Sequence, residues 1–369
     1  DDLAAFLKDA RSVEERLDRL RVFDDDQRVL VGMRLLSGAI EGEAAGPAFT
    51  ALAEVVLETV LETVETEFQR AHGNVRGGRL AVLGLGRLGS GELTASSDVD
   101  LMLLYDHDVE AEVSDGERPL PVSTYYARLT QRLIAALTSR MAEGVLYEVD
   151  FRLRPSGNKG PLATHVDAFC RYQREAWTWE RMALTRSRLI AGDEALQAEI
   201  KTAICDAIAS HAADPLLRYD VADMRARLDV QKPPRGPLDL KGLPGGLTDL
   251  EFIAQWSMLN GTVPLDFIGH STAEVLGELR RRLPDDPDMD HLVGVAADMT
   301  RIVQLLRLGP GAAFKVEELP AGLADRTARA LDLADRTGIE AQIADDAQRV
   351  RAAFARLIPF EGAGDEHSP

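Results

Sequence analysis

Cysteine is nearly absent. The 369 residues contain two, Cys170 and Cys205, far apart and both in segments that read as helices. Two such thiols do not make a disulfide framework and predict buried, reduced side chains in a cytoplasmic setting. Positive charge is in deficit: 42 Lys and Arg stand against 61 Asp and Glu, a formal net charge of −19. Such a field repels nucleic-acid phosphates, so no nucleic-acid partner is expected. It does not exclude a nucleotide, because a metal ion and a few local arginines dominate the field of a single site. No leader-like segment and no run of about twenty apolar residues is present, so no membrane partner is expected. Aromatic residues are only 5% of the chain, whereas Ala, Leu, Arg and Glu abound, which favours a mostly helical protein. There is no initiating methionine: the chain opens on Asp1 inside a helical pattern, as a piece excised from a longer chain would.

Against that background one stretch stands out, Leu80 to Tyr105, LAVLGLGRLGSGELTASSDVDLMLLY. An apolar strand is cut off by Gly84, Gly86 and Gly89. Ser90 to Ala95 has the length of one or two helical turns, and Val99 to Tyr105 is a second apolar strand. Asp98 and Asp100 stand at its entry. Residues i and i+2 of a strand share a face, so the two carboxylates project together and repel unless a cation lies between them. Carboxylates on a strand end suit Mg²⁺, a hard ion that shares its shell with phosphates. The glycines would let a phosphate chain approach the backbone, and Ser90 would offer its N–H and hydroxyl from a helix N-terminus. The same glycines also satisfy G-x-G-x-x-G, and Asp106 lies near where a dinucleotide fold holds its ribose. That reading leaves the short connection and the paired Asp98 and Asp100 unexplained.

Elsewhere the pattern is helical. Leu3–Leu20, Asp25–Ala39 and Pro47–Ala71 read as three helices broken at Asp24–Asp26 and Gly42–Gly46, with packing rather than chemistry as their role. Val122–Met141 is amphipathic. Val145–Gly157, VLYEVDFRLRPSG, alternates as a strand, with Glu148, Asp150, Arg152 and Arg154 on one face. Such a face is costly in a core and sensible lining a charged site. Pro155–Pro161 reads as a flap in which Lys159 either contacts phosphate or is solvated. Val166–Ile190 reads as largely helical, with Trp177 and Trp179 as packing residues and with Arg186 and Arg188 paired to acids at a helical interface. Lys232–Gly246 is a linker leading into a helix that Thr248 caps, with Asp249 and Glu251 favourable in its first turn. The remainder reads as helices at Ala273–Arg282, Met289–Leu308, Glu317–Ala334 and Gly338–Leu357, followed by a frayed tail.

The spacing G-S-x(7)-D-x-D at Gly89, Ser90, Asp98 and Asp100 resembles that of the DNA polymerase β-like nucleotidyltransferase superfamily. The strings GLGRLGSGELTASSDVDL, LYEVDFRLRPSGNKGPL, EAWTWERMALTRSRLIAGD and GGLTDLEFIAQ closely resemble the glutamine synthetase adenylyltransferase family. That family carries two such domains, one adenylylating and one deadenylylating, and RPSG and EAWTWE look like the C-terminal, adenylylating copy. The resemblance implies transfer of AMP from ATP to a tyrosine of glutamine synthetase with release of pyrophosphate. It implies two Mg²⁺ ions held by Asp98, Asp100 and Asp150, with Asp150 as base. It further implies triphosphate contacts from Gly89, Ser90, Arg152 and Arg154, and closure of the Lys241 loop on the nucleotide. Glutamine synthetase, a PII signal-transduction protein and glutamine as effector are the implied partners.

The expected fold class is α+β and predominantly helical: a nucleotidyltransferase domain with a small mixed sheet, plus a C-terminal helical bundle. Expected domains are an N-terminal helical segment (1–75), the catalytic domain with following helices (76–213), the bundle (214–360) and a tail (361–369). Three rival readings stay open. The chain is the phosphorolytic, deadenylylating copy; it modifies another target such as a PII-type regulator or a small molecule; or it is a docking module that binds nucleotide without turnover.

Overall fold

The computed structural model describes residues 2–309 and 314–359, so the expected tail at 361–369 lies outside the described residues. The chain forms two compact units. The first comprises Asp1–Ile40, Ala44–Ala176 and Arg186–Ala207, and the second comprises Glu41–Glu43, Trp177–Thr185 and the chain from Ile208 on. Helices predominate and one small mixed sheet belongs to the first unit.

The sheet is built on two buried apolar runs, β1 (Arg79–Leu85) and β2 (Val99–Asp106). They pair antiparallel over their whole length, from Arg79 opposite Asp106 to Leu85 opposite Asp100. Both are apolar on both faces because helices cover the sheet, as fully buried strands require. β3 (Val149–Asp150) and β4 (Ala163–His165) lie along the other side of β2, both parallel to it. β3 sits at its beginning and β4 near its end. β5 (Arg188–Gly192) pairs antiparallel with the free side of β1, with a bulge between Val82 and Leu83. β2 is therefore the central strand, and its first residues lie beside β3.

The helix Gly42–His72 puts Phe49, Ala53, Val56, Leu57, Val60, Val64 and Phe68 into the core at helical spacing. It is long and apolar enough to cross a bilayer by length and composition alone, yet this stripe is that of a core helix. The helix Val122–Thr138 stacks Tyr126 on Tyr105 of β2, ring centroids 4.1 Å apart. Neither Cys170 nor Cys205 is in a disulfide, and both are half-buried rather than buried.

Several local expectations are corrected. Asp24–Asp26 does not break a helix: Val13–Ser37 is continuous, because Asp24 is buried against Arg28 one turn on and Tyr147 far along the chain. The real break is at Ser12, whose side chain caps this helix by accepting from the Glu15 N–H, so Leu3–Leu20 is two helices. Gly42–Gly46 is helical, and Gly42 lies so close to the Arg301 backbone that no side chain would fit. Ser90–Ala95 is irregular, the helical turn being Gly86–Gly89. Val145–Gly157 is a strand only at Val149–Asp150. The Asp150 carboxylate accepts from the Arg152 N–H at 2.8 Å and turns the chain back. Val166–Ile190 holds two helices, Val166–Arg174 and Thr178–Thr185, before the chain extends into β5.

In the second unit the helix Leu247–Leu259 is buried on nearly every side and packs on the helices Thr178–Thr185, Leu217–Gln231, Thr272–Arg282 and Ile339–Leu357. Gly246, not Thr248, stands at its N-cap. The Thr248 hydroxyl donates instead to the Lys241 carbonyl at 2.7 Å. Asp249 is fully buried and takes part in a charged network. Its carboxylate accepts from Arg225 at 2.6 and 3.0 Å, from Arg351 at 2.6 Å and from the Gly245 N–H at 2.9 Å. Asp229 binds the same two arginines. Removing one partner of such a network leaves guanidinium charge without its counter-ion. Asp249→Ala should therefore cost the second unit about 3–5 kcal/mol, read as a shift of its urea unfolding transition. A loss below about 1 kcal/mol, the range of an exposed ion pair, would contradict this account.

Candidate active site

Three carboxylate residues lie near the start of β2. Asp100 stands opposite Asp150 in the parallel ladder of β2 and β3. Neighbouring residues in register point to the same face, with strands about 4.8 Å apart. Asp98, two residues earlier, shares that face. The Val99 N–H donates to the Glu148 carbonyl at 2.9 Å and joins the two segments. Asp98 is exposed, while Asp100 and Asp150 are half-buried. An open cleft of about 470 Å³ is lined by Asp98, Glu148, Asp150, Arg152, Arg154 and Asn158.

Arg152 answers the repulsion among these acids. Its guanidinium binds the Asp150 carboxylate through Nε at 2.7 Å and through Nη2, while the side chain remains 74% exposed. The hydrogen bonds from Arg152 hold the Asp150 carboxyl below the usual carboxylate range against an opposing effect of burial. The charges of Asp98 and Asp100 also act on Arg152, though less than its bond to Asp150. Arg154 behaves differently from the expected parallel pair. It is buried, and it donates to the Phe151 carbonyl at 2.7 Å and the Gly160 carbonyl at 3.4 Å, bracing the turn after β3.

The glycines serve the acids by close packing. Gly86 is left-handed (φ 56°), and the Asp100 carboxylate occupies the space a side chain there would fill. Gly89 lies against the Arg186 carbonyl and Gly84 against Ile190 and Leu88. Ser90 corrects the expectation of an open helix N-terminus. It follows the C-terminal end of Gly86–Gly89, is 2% exposed, and its N–H donates to the Gly86 carbonyl at 3.1 Å. Its hydroxyl donates within reach of the Gly86 carbonyl and the Glu92 carboxylate and accepts from Arg186 at 3.0 Å.

Arg186 thus belongs to the turn below the acids, where it also binds Glu92 at 3.1 Å, rather than to a helical interface. Arg188 does pair with a helical acid, Glu54, at 3.2 Å. Glu148 and Asn158, neither selected as site residues from the sequence, line the cleft. For Glu148 the signal was available, since it shares the alternating face of Asp150. Lys159 is exposed. Lys241 lies in the second unit with its side chain exposed. Trp177 and Trp179, expected to be packed, are 72% and 44% exposed.

Among the described residues no three His, Cys, Asp or Glu side chains stand close enough to enclose a metal ion. The donor set is nonetheless that of a hard divalent cation: carboxylate oxygens alone, on a shared face, with no thiol or imidazole lining the cleft. Asp150 is engaged by Arg152.

A family model described as Glutamate-ammonia ligase adenylyltransferase matches residues 1–203. A bifunctional glutamine synthetase adenylyltransferase/adenylyl-removing enzyme of Brucella suis biovar 1 is 51% identical over 357 residues, 96% of this chain and 36% of the relative. Enzymes of the same description from Agrobacterium fabrum and Mesorhizobium japonicum are 48% and 47% identical over 97% and 96% of the chain. In each case the chain spans 36% of the relative's length.

A carboxyl held low by a partner adds stability above its unfolded pKa, near 3.9, and loses it as pH falls through the folded value. Arg152→Ala should therefore raise the Asp150 titration toward the ordinary range, since the guanidinium's hydrogen bonds are lost while the backbone N–H of residue 152 still donates. Carboxyl ¹³C NMR of Asp150 checks this, and an unmoved titration would show that Arg152 does not set it.

Proposed function

The chain belongs to the glutamate-ammonia ligase adenylyltransferase family, and from that premise we propose that it transfers AMP from ATP to a tyrosine hydroxyl of glutamine synthetase. The observation that carries the reading is the open cleft lined by Asp98, Asp150 and Arg152, with Asp100 in register beside Asp150.

In the reaction the phenolic oxygen bonds to the α-phosphorus, the bond from that phosphorus to the bridging oxygen of the β-phosphate breaks, and pyrophosphate departs. Asp98, Asp100 and Asp150 would hold Mg²⁺, as two ions, which when bound supply positive charge to the phosphate oxygens and to the attacking phenolate. Arg152 gives the chain's own contribution a definite sequence. Its fork fits phosphate as well as carboxylate, so an arriving triphosphate competes with Asp150 for it. Transfer of the Arg152 guanidinium to phosphate would free Asp150 to ligate and, with the guanidinium's depressing hydrogen bonds gone, to accept the phenolic proton. Arg154 holds the turn that carries Arg152 and is assigned that bracing role rather than a direct phosphate contact.

The relatives' name covers removal as well as addition of the adenylyl group, and the chain spans only part of them. The adenylylating direction is preferred on the resemblance of RPSG and EAWTWE. The same family reading suggests a PII-type protein and glutamine as regulators of the whole protein, and a cytoplasmic setting.

With α-labelled ATP, Mg²⁺ and unmodified glutamine synthetase, the chain should add one AMP to one tyrosine, seen by mass analysis. Asp98→Asn or Asp100→Asn should lower that rate on the order of a hundredfold or more while circular dichroism and unfolding stay native-like. Near-normal rates in either variant would remove these acids from the mechanism. Absence of label, with ADP formed from adenylylated synthetase and phosphate, would assign the removing direction instead.

A further inference from the structure

The helix Val13–Ser37, in which sequence patterning shows only packing, reaches both acid-bearing segments through one side chain. Arg28 Nη1 donates to the Ala95 carbonyl at 3.3 Å, three residues before Asp98. Nη2 of the same guanidinium donates to the Leu146 carbonyl at 2.9 Å, four residues before Asp150. Arg28 is in turn held from two sides. Its Nη2 lies 2.8 Å from Asp24 Oδ2 one helical turn earlier, and its guanidinium carbon stands 4.2 Å from the centre of the Tyr147 ring. The Tyr147 hydroxyl donates to Asp24 Oδ1 at 3.0 Å and closes the triad. Asp24 is 1% exposed, and burial outweighs these partners enough to raise its carboxyl above the ordinary value.

The location matters because β3 is only two residues long. So short a ladder gives few hydrogen bonds to hold Asp150 beside Asp100, while three carboxylates on one face push the segments apart. A helix that had only to pack there needs an apolar side chain; a buried Asp–Arg pair brings a desolvation cost and no packing advantage. What the pair supplies is a rigid planar fork spanning two backbone carbonyls that are 51 residues apart in sequence.

We propose that Arg28 is a positioning residue of the active site: by bridging the Ala95 and Leu146 carbonyls it sets the separation of the Asp98 and Asp150 segments, with Asp24 and Tyr147 fixing the fork. The bearing on cation binding and transfer rests on the function proposed above. The bearing on backbone geometry does not.

The test uses the full chain with Arg28→Met, which keeps length and loses every donor, and Tyr147→Phe, which keeps the ring and loses only the hydroxyl. Mn²⁺ is titrated calorimetrically without nucleotide, and amide exchange is followed at Val99, whose N–H crosses to Glu148, and at Leu104, opposite Ala81 in the β1–β2 pair. Arg28→Met should weaken Mn²⁺ binding by about tenfold or more, as loss of a group that orients metal ligands does. It should speed exchange at Val99 selectively and lower kcat for AMP transfer with little change in the KM for ATP. Equal acceleration at Val99 and Leu104, or Mn²⁺ binding within about twofold of wild type, would reduce Arg28 to general stability and overturn the proposal. Should Arg28→Met fail to fold, Tyr147→Phe decides by the same selective exchange at Val99, and its absence overturns the proposal. A wild-type chain that neither binds Mn²⁺ nor transfers AMP would sink the proposed function alone, leaving the Val99 exchange to judge Arg28.

Discussion

Three like charges must be kept side by side at the end of a strand before any ligand arrives. Asp98, Asp100 and Asp150 repel one another, and the rest of the first unit can be understood as the means of holding them. β2 is the central strand, paired along its length with β1, so the backbone carrying Asp98 and Asp100 is the best-supported in the sheet. β3 is the weak side, a two-residue ladder, and reinforcement accumulates there. Arg152 places charge on Asp150, Arg154 braces the turn that follows, and the fork of Arg28 ties the segments that lead into both acids. The site is thus crowded with like charge and firm in backbone, a combination that suits the cation and phosphate chain of the proposed function.

The glycine-serine turn contributes through packing. Gly86 yields its side-chain space to the Asp100 carboxylate, Gly89 admits the Arg186 backbone, and Ser90 is the buried junction of Gly86, Glu92 and Arg186. A nucleotide approaching this turn meets a closed hydrogen-bond network rather than free N–H groups. The accessible cation near the acids is Arg152. Under the proposed function, this shifts the weight of triphosphate recognition from the turn to the segment after β3.

Much of this was legible in the sequence where short-range pattern governs. The two strands, the shared face of Asp98 and Asp100 and the C-terminal helices follow from periodicity; the family, and with it Asp150 as the third acid, was read from extended strings that resemble it. What escaped depends on partners distant in the chain. Asp24 looked like a helix breaker because its partner Tyr147 lies 123 residues away, and Arg28 carried no sign of the carbonyls it binds. The strand at Val145–Gly157 was read too long because an aspartate that hydrogen-bonds the backbone two residues on converts an extended pattern into a turn. Residues 188–190 were read as the end of a largely helical segment and are part of a strand because β1 offers them an edge. Asp249 satisfied the rules for a helix start, yet its role is set by Arg225 and Arg351, neither near it in sequence.

The measurement that tests the central claim most directly is a crystal structure of the chain with Mn²⁺ and a non-hydrolysable ATP analogue, read by the anomalous signal of the metal. The account predicts manganese on the Asp98, Asp100 and Asp150 carboxylates, with Arg152 moved from Asp150 onto the triphosphate. Manganese or nucleotide bound away from those three acids, with Arg152 still on Asp150, would contradict it.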